Sequence, residues 1–307
     1  MASTEEMLRT AVQTAQINRF TSVAAGTLIV LDHLITLDQE IELIWRSSNG
    51  SGKWLFIVNR YYGLIAAIFN NYALFVPRLT DSFCRRWYQW QGCSGIILYL
   101  IAELILQLRL FALYHLNRKV LAVIIVSFVV AATSSGTLMG IVLRELSGYA
   151  VVLVDTPVCA AKWVPRYFYV FWIPILAFET LLCGLAVYRG FQNMRFKSSF
   201  YYSGKEIVDV LLRDSVVYFI VLFTTYAVNM VLFLVEPGTL IEVPIVFAAA
   251  MSCIMSNRLL LSIRQTVHDR DDVMLVSPHT AYRTGPFITT RVEFMEMEEM
   301  ESPESLR

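Results

Sequence analysis

Glu103 and Glu179 stand near the middle of long apolar runs, and Gln107 shares a helical face with Glu103 at i,i+4 spacing. Carboxylates are costly to place in a bilayer, so they count first as a ligand pocket or a proton path. A second polar set, Asp32, His33, Arg60 and Arg109, occupies the first three apolar runs. If Asp32 faces Arg60 or Arg109, acid and base pair inside the membrane. Such a cluster most simply joins helices and fixes their register. Cys84, Cys93 and Cys159 fall between apolar runs. A bridge from Cys159 to Cys93 or Cys84 would pin the segment after the fourth run to the top of the third, with one thiol left over. Cys183 and Cys253 lie within runs and read as small packing residues.

Several chemistries lack their residues. A retinal Schiff base needs a lysine within a span, yet Lys53, Lys119, Lys162, Lys197 and Lys205 all lie between or at the edges of the runs. His33, His115, His268 and His279 are scattered, without metal-ligand spacing. No Gly-rich phosphate loop is present, and Ser134 and Ser135 have no base near them in sequence. The expectation is a non-enzymatic protein with no cofactor and no metal site. Lys plus Arg equals Asp plus Glu at 25 each, and no basic face suggests a nucleic-acid partner.

The elements that must position these residues follow from composition. Of 307 residues, 56% are hydrophobic and 16% charged, against about 25% charged in soluble domains. Seven apolar runs are long enough to cross a bilayer core of about 30 Å. They are Phe20–Leu37, Trp54–Val76, Gly95–Tyr114, Val120–Leu143, Tyr167–Tyr188, Ser215–Val235 and Leu240–Asn257. Barrel strands would be about ten residues long with alternating polarity, whereas these runs are apolar all round and twice that length. The predicted fold class is all-α: a polytopic membrane protein built as a seven-helix transmembrane bundle. Trp54, Trp87, Trp90, Trp163, Tyr167 and Tyr188 at the run ends fit interfacial belts. The first twenty residues are polar, so the first run reads as a retained anchor.

Three parts follow: an extracellular or lumenal segment 1–19, the membrane domain 20–264 and an acidic cytoplasmic tail 265–307. The segment Arg189–Asp214 carries five basic residues, and Arg258, Arg264 and Arg270 follow the last run. This bias places the N-terminus outside and the C-terminus inside, with the plasma membrane the expected location. Asn49-Gly50-Ser51 would argue the reverse if glycosylated, but it abuts Trp54 at the next run and reads as fortuitous. Gln265 onward, with Ser277-Pro278, Gly285-Pro286 and the Glu-rich end, reads as disordered. The segment 189–214 and the tail are the surfaces for a cytoplasmic partner; the lipid bilayer is the other partner.

The most distinctive local sequence is Asp32-His33-Leu34-Ile35-Thr36-Leu37-Asp38-Gln39-Glu40, with Ile44-Trp45, Lys53-Trp54-Leu55-Phe56 and Asn59-Arg60-Tyr61 behind it. Leu37, Ile41, Ile44 and Trp45 share one helical face, so this stretch reads as an amphipathic extension of the first run along the interface. Cys84 with Trp87 and Gln91, and Arg109–Tyr114 with Asn117-Arg118, complete the pattern. Together these residues resemble a large family of fungal membrane proteins, found mainly in basidiomycetes and catalogued only as a domain of unknown function. The resemblance covers roughly 24–119. It implies a seven-helix integral membrane protein and no reaction, ligand or catalytic residue. Receptor-like sensing is the first expectation for activity. A small-solute or proton-linked transporter using Glu103 and Glu179 is the second, and a structural membrane component the third.

Overall fold

The computed structural model describes residues 4–46, 51–114, 117–146, 148–153, 156–161, 165–195, 205–235 and 242–276. Asn49 and Gly50 of the sequon, residues 196–204 of the basic segment and the tail beyond 276 lie outside them. The helices are α1 (Thr4–Ile35), α2 (Leu37–Glu40), α3 (Ser51–Ala73), α4 (Asp81–Leu113), α5 (Arg118–Glu145), α6 (Trp172–Arg195), α7 (Lys205–Val235) and α8 (Glu242–Val276). A π turn, Ile41–Trp45, extends α2, and a 3-10 turn, Arg166–Phe171, leads into α6. Between α5 and α6 lies a feature the apolar runs did not signal: an antiparallel hairpin of β1 (Gly148–Leu153) and β2 (Thr156–Ala161), in register from Gly148↔Ala161 to Leu153↔Thr156.

The protein is an all-α, membrane-embedded polytopic chain. Five helical stretches are individually long and apolar enough to cross a bilayer: Asp81–Phe111, Arg118–Glu145, Tyr167–Gln192, Val216–Val235 and Glu242–Gln265. A sixth is made by Leu8–Ile35 with Leu37–Trp45, a pair bent by 55°. The α3 helix has the length, at 23 residues, but Asn59, Arg60, Asn70 and Asn71 dilute its apolar character. Seven spans are therefore not reached on length and composition alone. Burial shows which faces meet lipid. Only 17% of the most apolar window of α5 is buried, and Val126 and Val130 on it are more than 60% exposed. Soluble monomers rarely leave such a face to water.

The long helices close a ring in chain order, α1 to α3 to α4 and on to α8, which returns to α1; α4 and α8 also meet across the middle. The core runs through Leu106, Leu110, Ile124, Ile175, Leu182, Phe219 and Leu222. The α3–α8 contact is close because Gly63 sits there: a Cβ on it would lie 2.5 Å from the Cys253 Sγ. Gly63→Ala is expected to cost about 1–3 kcal/mol through overpacking. Cys253→Ala in the same chain should restore most of that, as SDS unfolding in mixed micelles would measure.

Two boundaries shift from the sequence reading. The α4 helix begins at Asp81, well before the apolar run at Gly95, because 81–94 continue the same helical phase in polar residues. The α8 helix continues to Val276, so the first part of the expected disordered tail is helical. Likewise α1 begins at Thr4, making most of the polar segment 1–19 helical.

Candidate functional site

The hairpin end of the bundle is tied by covalent and polar bonds. Cys84 on α4 is bonded to Cys159 on β2, with Cα atoms 5.4 Å apart. Cys93, the other candidate partner, is free and exposed. Nine residues of α-helix turn through about 900°, so Cys84 and Cys93 point to opposite faces of α4 and only one can meet the hairpin. Asp81 Oδ1 accepts from the Ala150 amide (2.8 Å), and Arg19 donates to the Pro157 carbonyl (2.8 Å), fastening the hairpin to α4 and α1. Gly148 lies so close to α4 that a Cβ would stand 3.0 Å from the Cys84 carbonyl.

Beneath this end a cavity of about 1220 Å³ opens between α1, α4, α5, α6, α7, α8 and the hairpin. Ligand pockets commonly span about 300–1,000 Å³. The polar half of α1 lines its mouth through Arg9, Gln13 and Arg19. The Tyr88 hydroxyl stands 3.1 Å from Glu242 Oε1 and 3.3 Å from the Cys159 carbonyl, closing one side of that mouth. The deep wall is aromatic: Trp172 packs against Tyr226 (centroids 6.1 Å apart), and Tyr226 against Tyr99 (6.2 Å). Tyr226 donates to Ser252 Oγ (3.3 Å).

Glu103 and Glu179 do not line this cavity. They lie one turn deeper than Tyr99 and Ile175, which do. Both are fully buried, on helices α4 and α6, which are in contact. Among the described residues no hydrogen bond reaches any of their four oxygens. Gln107 is buried a further turn along α4, its Nε2 without an acceptor among the described residues. The first candidate set is therefore a buried polar column under the cavity floor.

The second candidate set divides. Asp32 pairs with neither Arg60 nor Arg109; its Oδ1 accepts from Arg258 Nε at 2.6 Å. Arg60 bonds instead to Glu40, Nε to Oε2 at 2.6 Å, with both side chains buried. Its other nitrogens donate to Thr36 Oγ1 (2.8 Å) and the His33 carbonyl (2.9 Å). Glu40 Oε1 also accepts from the Tyr61 hydroxyl (2.9 Å) and Trp45 Nε1 (3.1 Å). The His33 ring meets Tyr61 edge-on, with centroids 5.6 Å apart. Arg109 is buried on α4, while the bonds of Asp32 and Arg60 run elsewhere.

Local chain geometry explains these partners. Thr36 Oγ1 bonds back to the Asp32 carbonyl (2.7 Å), a contact that bends helices, and the chain turns there between α1 and α2. The π turn then brings a residue five positions on over its start, which is the Glu40–Trp45 spacing. Asn59 Nδ2 reaches Asn257 Oδ1 (2.9 Å), so α3 and α8 are bonded just beside Arg258. Glu40, Arg258, Tyr99 and Trp172 were missed from sequence. Glu40 had a signal: Asp32, Thr36 and Glu40 repeat at i,i+4, one stripe along a helix.

No curated protein matches the chain. Over residues 20–65, which hold Asp32, Thr36, Glu40, Trp45, Arg60 and Tyr61 together, the chain matches a family of unknown function, DUF6533.

Proposed function

We propose that this chain is a non-enzymatic integral membrane protein that crosses the bilayer seven times, N-terminus outside, and senses a ligand entering from that side. The cavity at the hairpin end carries the reading. It is large, aromatic at depth and polar at the mouth, and a disulfide braces its rim. A disulfide belongs on an oxidising face, which supports an outward-facing hairpin and N-terminus and suits the plasma membrane. The α3 helix serves as the remaining span, because Arg60 and Asn59 spend their polarity on α1, α2 and α8 rather than on lipid.

Proton-linked or small-solute transport is the second reading, favoured by the buried carboxylates of Glu103 and Glu179 under the cavity floor. A structural membrane component is the third, and a cavity of this size counts against it. Partners on the inner side would use the basic segment 189–214 or the tail.

Filling the cavity separates these readings. Ala248 is buried and lines the cavity. Cells carrying Ala248→Phe, with normal surface expression, are expected to lose a response to external solutes that wild-type cells show and a deletion strain lacks. An unchanged response with altered solute uptake would sink the sensing proposal in favour of transport.

A further inference from the structure

The cavity contains polar groups that the protein itself does not satisfy. Trp172 Nε1 and Tyr99 OH, each more than nine-tenths buried, find no hydrogen-bond partner among the described residues. Both flank the Tyr226 ring at the deep end. Trp87 Nε1, equally buried, also lacks a partner. It lies three turns from Tyr99 along α4, about 18 Å nearer the mouth. All three line the cavity, and all three are donors. A buried donor left unmade is costly, so the surface calls for an acceptor.

The surroundings narrow what that acceptor is. Among the described residues an anionic head would meet no cation at depth, and Glu103 and Glu179 stand one turn below. An ammonium would be drawn by those carboxylates and by the aromatic faces. It brings only donors, however: the Tyr99 hydroxyl could accept from it, but both indole N–H groups would stay unpaired. A neutral oxygen meets both conditions, and Phe168, Phe171 and Ile175 supply apolar walls for the rest of the molecule.

We infer that the cavity is a binding site for a neutral, largely apolar molecule whose carbonyl, ether or hydroxyl oxygen is held at depth by Trp172 Nε1 and Tyr99 OH. Trp87 offers an elongated ligand a second donor nearer the mouth. This inference rests on the reading of the cavity as a ligand pocket and names its ligand class.

Four probes of one shape test it: fluorenone, fluorene, protonated 9-aminofluorene and fluorene-9-carboxylate. Their binding is measured on the full chain in nanodiscs, with empty nanodiscs subtracted. Fluorenone is expected to bind most tightly, roughly three- to tenfold over fluorene for each donor engaged. Trp172→Phe and Tyr99→Phe should each reduce the preference for fluorenone over fluorene by that factor, and retained fluorene binding reports that the variants fold. Fluorenone no tighter than fluorene, or the amine tightest, overturns the ligand class while the pocket stands. Absence of binding by all four overturns the pocket, and the sensing proposal with it.

Discussion

Glu40→Ala is expected to destabilise the folded protein by about 3–5 kcal/mol, the cost of leaving a buried charge without its partner. Arg60 is held on every side by Glu40, Thr36 and the His33 carbonyl, and its guanidinium lies 5.4 Å from the Phe56 ring centroid. With the carboxylate removed, Tyr61 and Trp45 also lose their acceptor. Arg60→Met alone should cost a similar amount, because Glu40 is then stranded. The double variant Glu40→Leu, Arg60→Met should recover most of the loss, since an apolar pair often replaces a buried ion pair without penalty. SDS unfolding in mixed micelles measures the cycle, and additive single losses would show that the two side chains do not interact. Asp32→Asn should cost less, because its partner Arg258 is nearly half exposed and water screens the pair.

Cys84→Ser and Cys159→Ser are each expected to destabilise by up to about 4 kcal/mol, and their combination should cost no more than either alone. The bridge closes a loop with a sequence separation of 75. The loop-closure relation gives about 4 kcal/mol for that length, an upper value because helices that persist in the unfolded membrane state already restrict the chain. A reductant should reproduce the loss in the wild-type protein. Cys93→Ser should stay within about 0.5 kcal/mol, as expected for an exposed residue without a partner sulfur. A loss in Cys93→Ser equal to that in Cys84→Ser would overturn the connectivity.

Apolar length and charge position carry the architecture in the sequence, because a bilayer admits helices of one approximate length. That rule works for α4 to α8 and falters at α3, where Asn59 and Arg60 face protein rather than lipid. The polar extensions of α1, α4 and α8 escaped it, because water-exposed helical turns carry no apolar signal. The identity of the ionisable residues inside the runs was legible, but their partners were not. Asp32 and Arg258 stand 226 positions apart, and only the ring closure of α8 on α1 brings them together. Glu40 was hidden for another reason: it lies past the bend at Thr36, in what reads as an interfacial stretch. The cavity was illegible because its donors, Trp172 and Tyr99, look in sequence like ordinary belt and core aromatics.

A thiol at Gly95 tests the open cavity most directly. Gly95 lines it, and a Cβ there meets nothing within 4 Å, so Gly95→Cys is accommodated without strain. In a chain also carrying Cys93→Ser, a membrane-impermeant maleimide is added to intact cells. Labelling from outside, with no further gain on permeabilisation, is the expected result. Labelling only after permeabilisation would contradict the orientation, and no labelling in either condition would contradict a cavity open to water at the hairpin end.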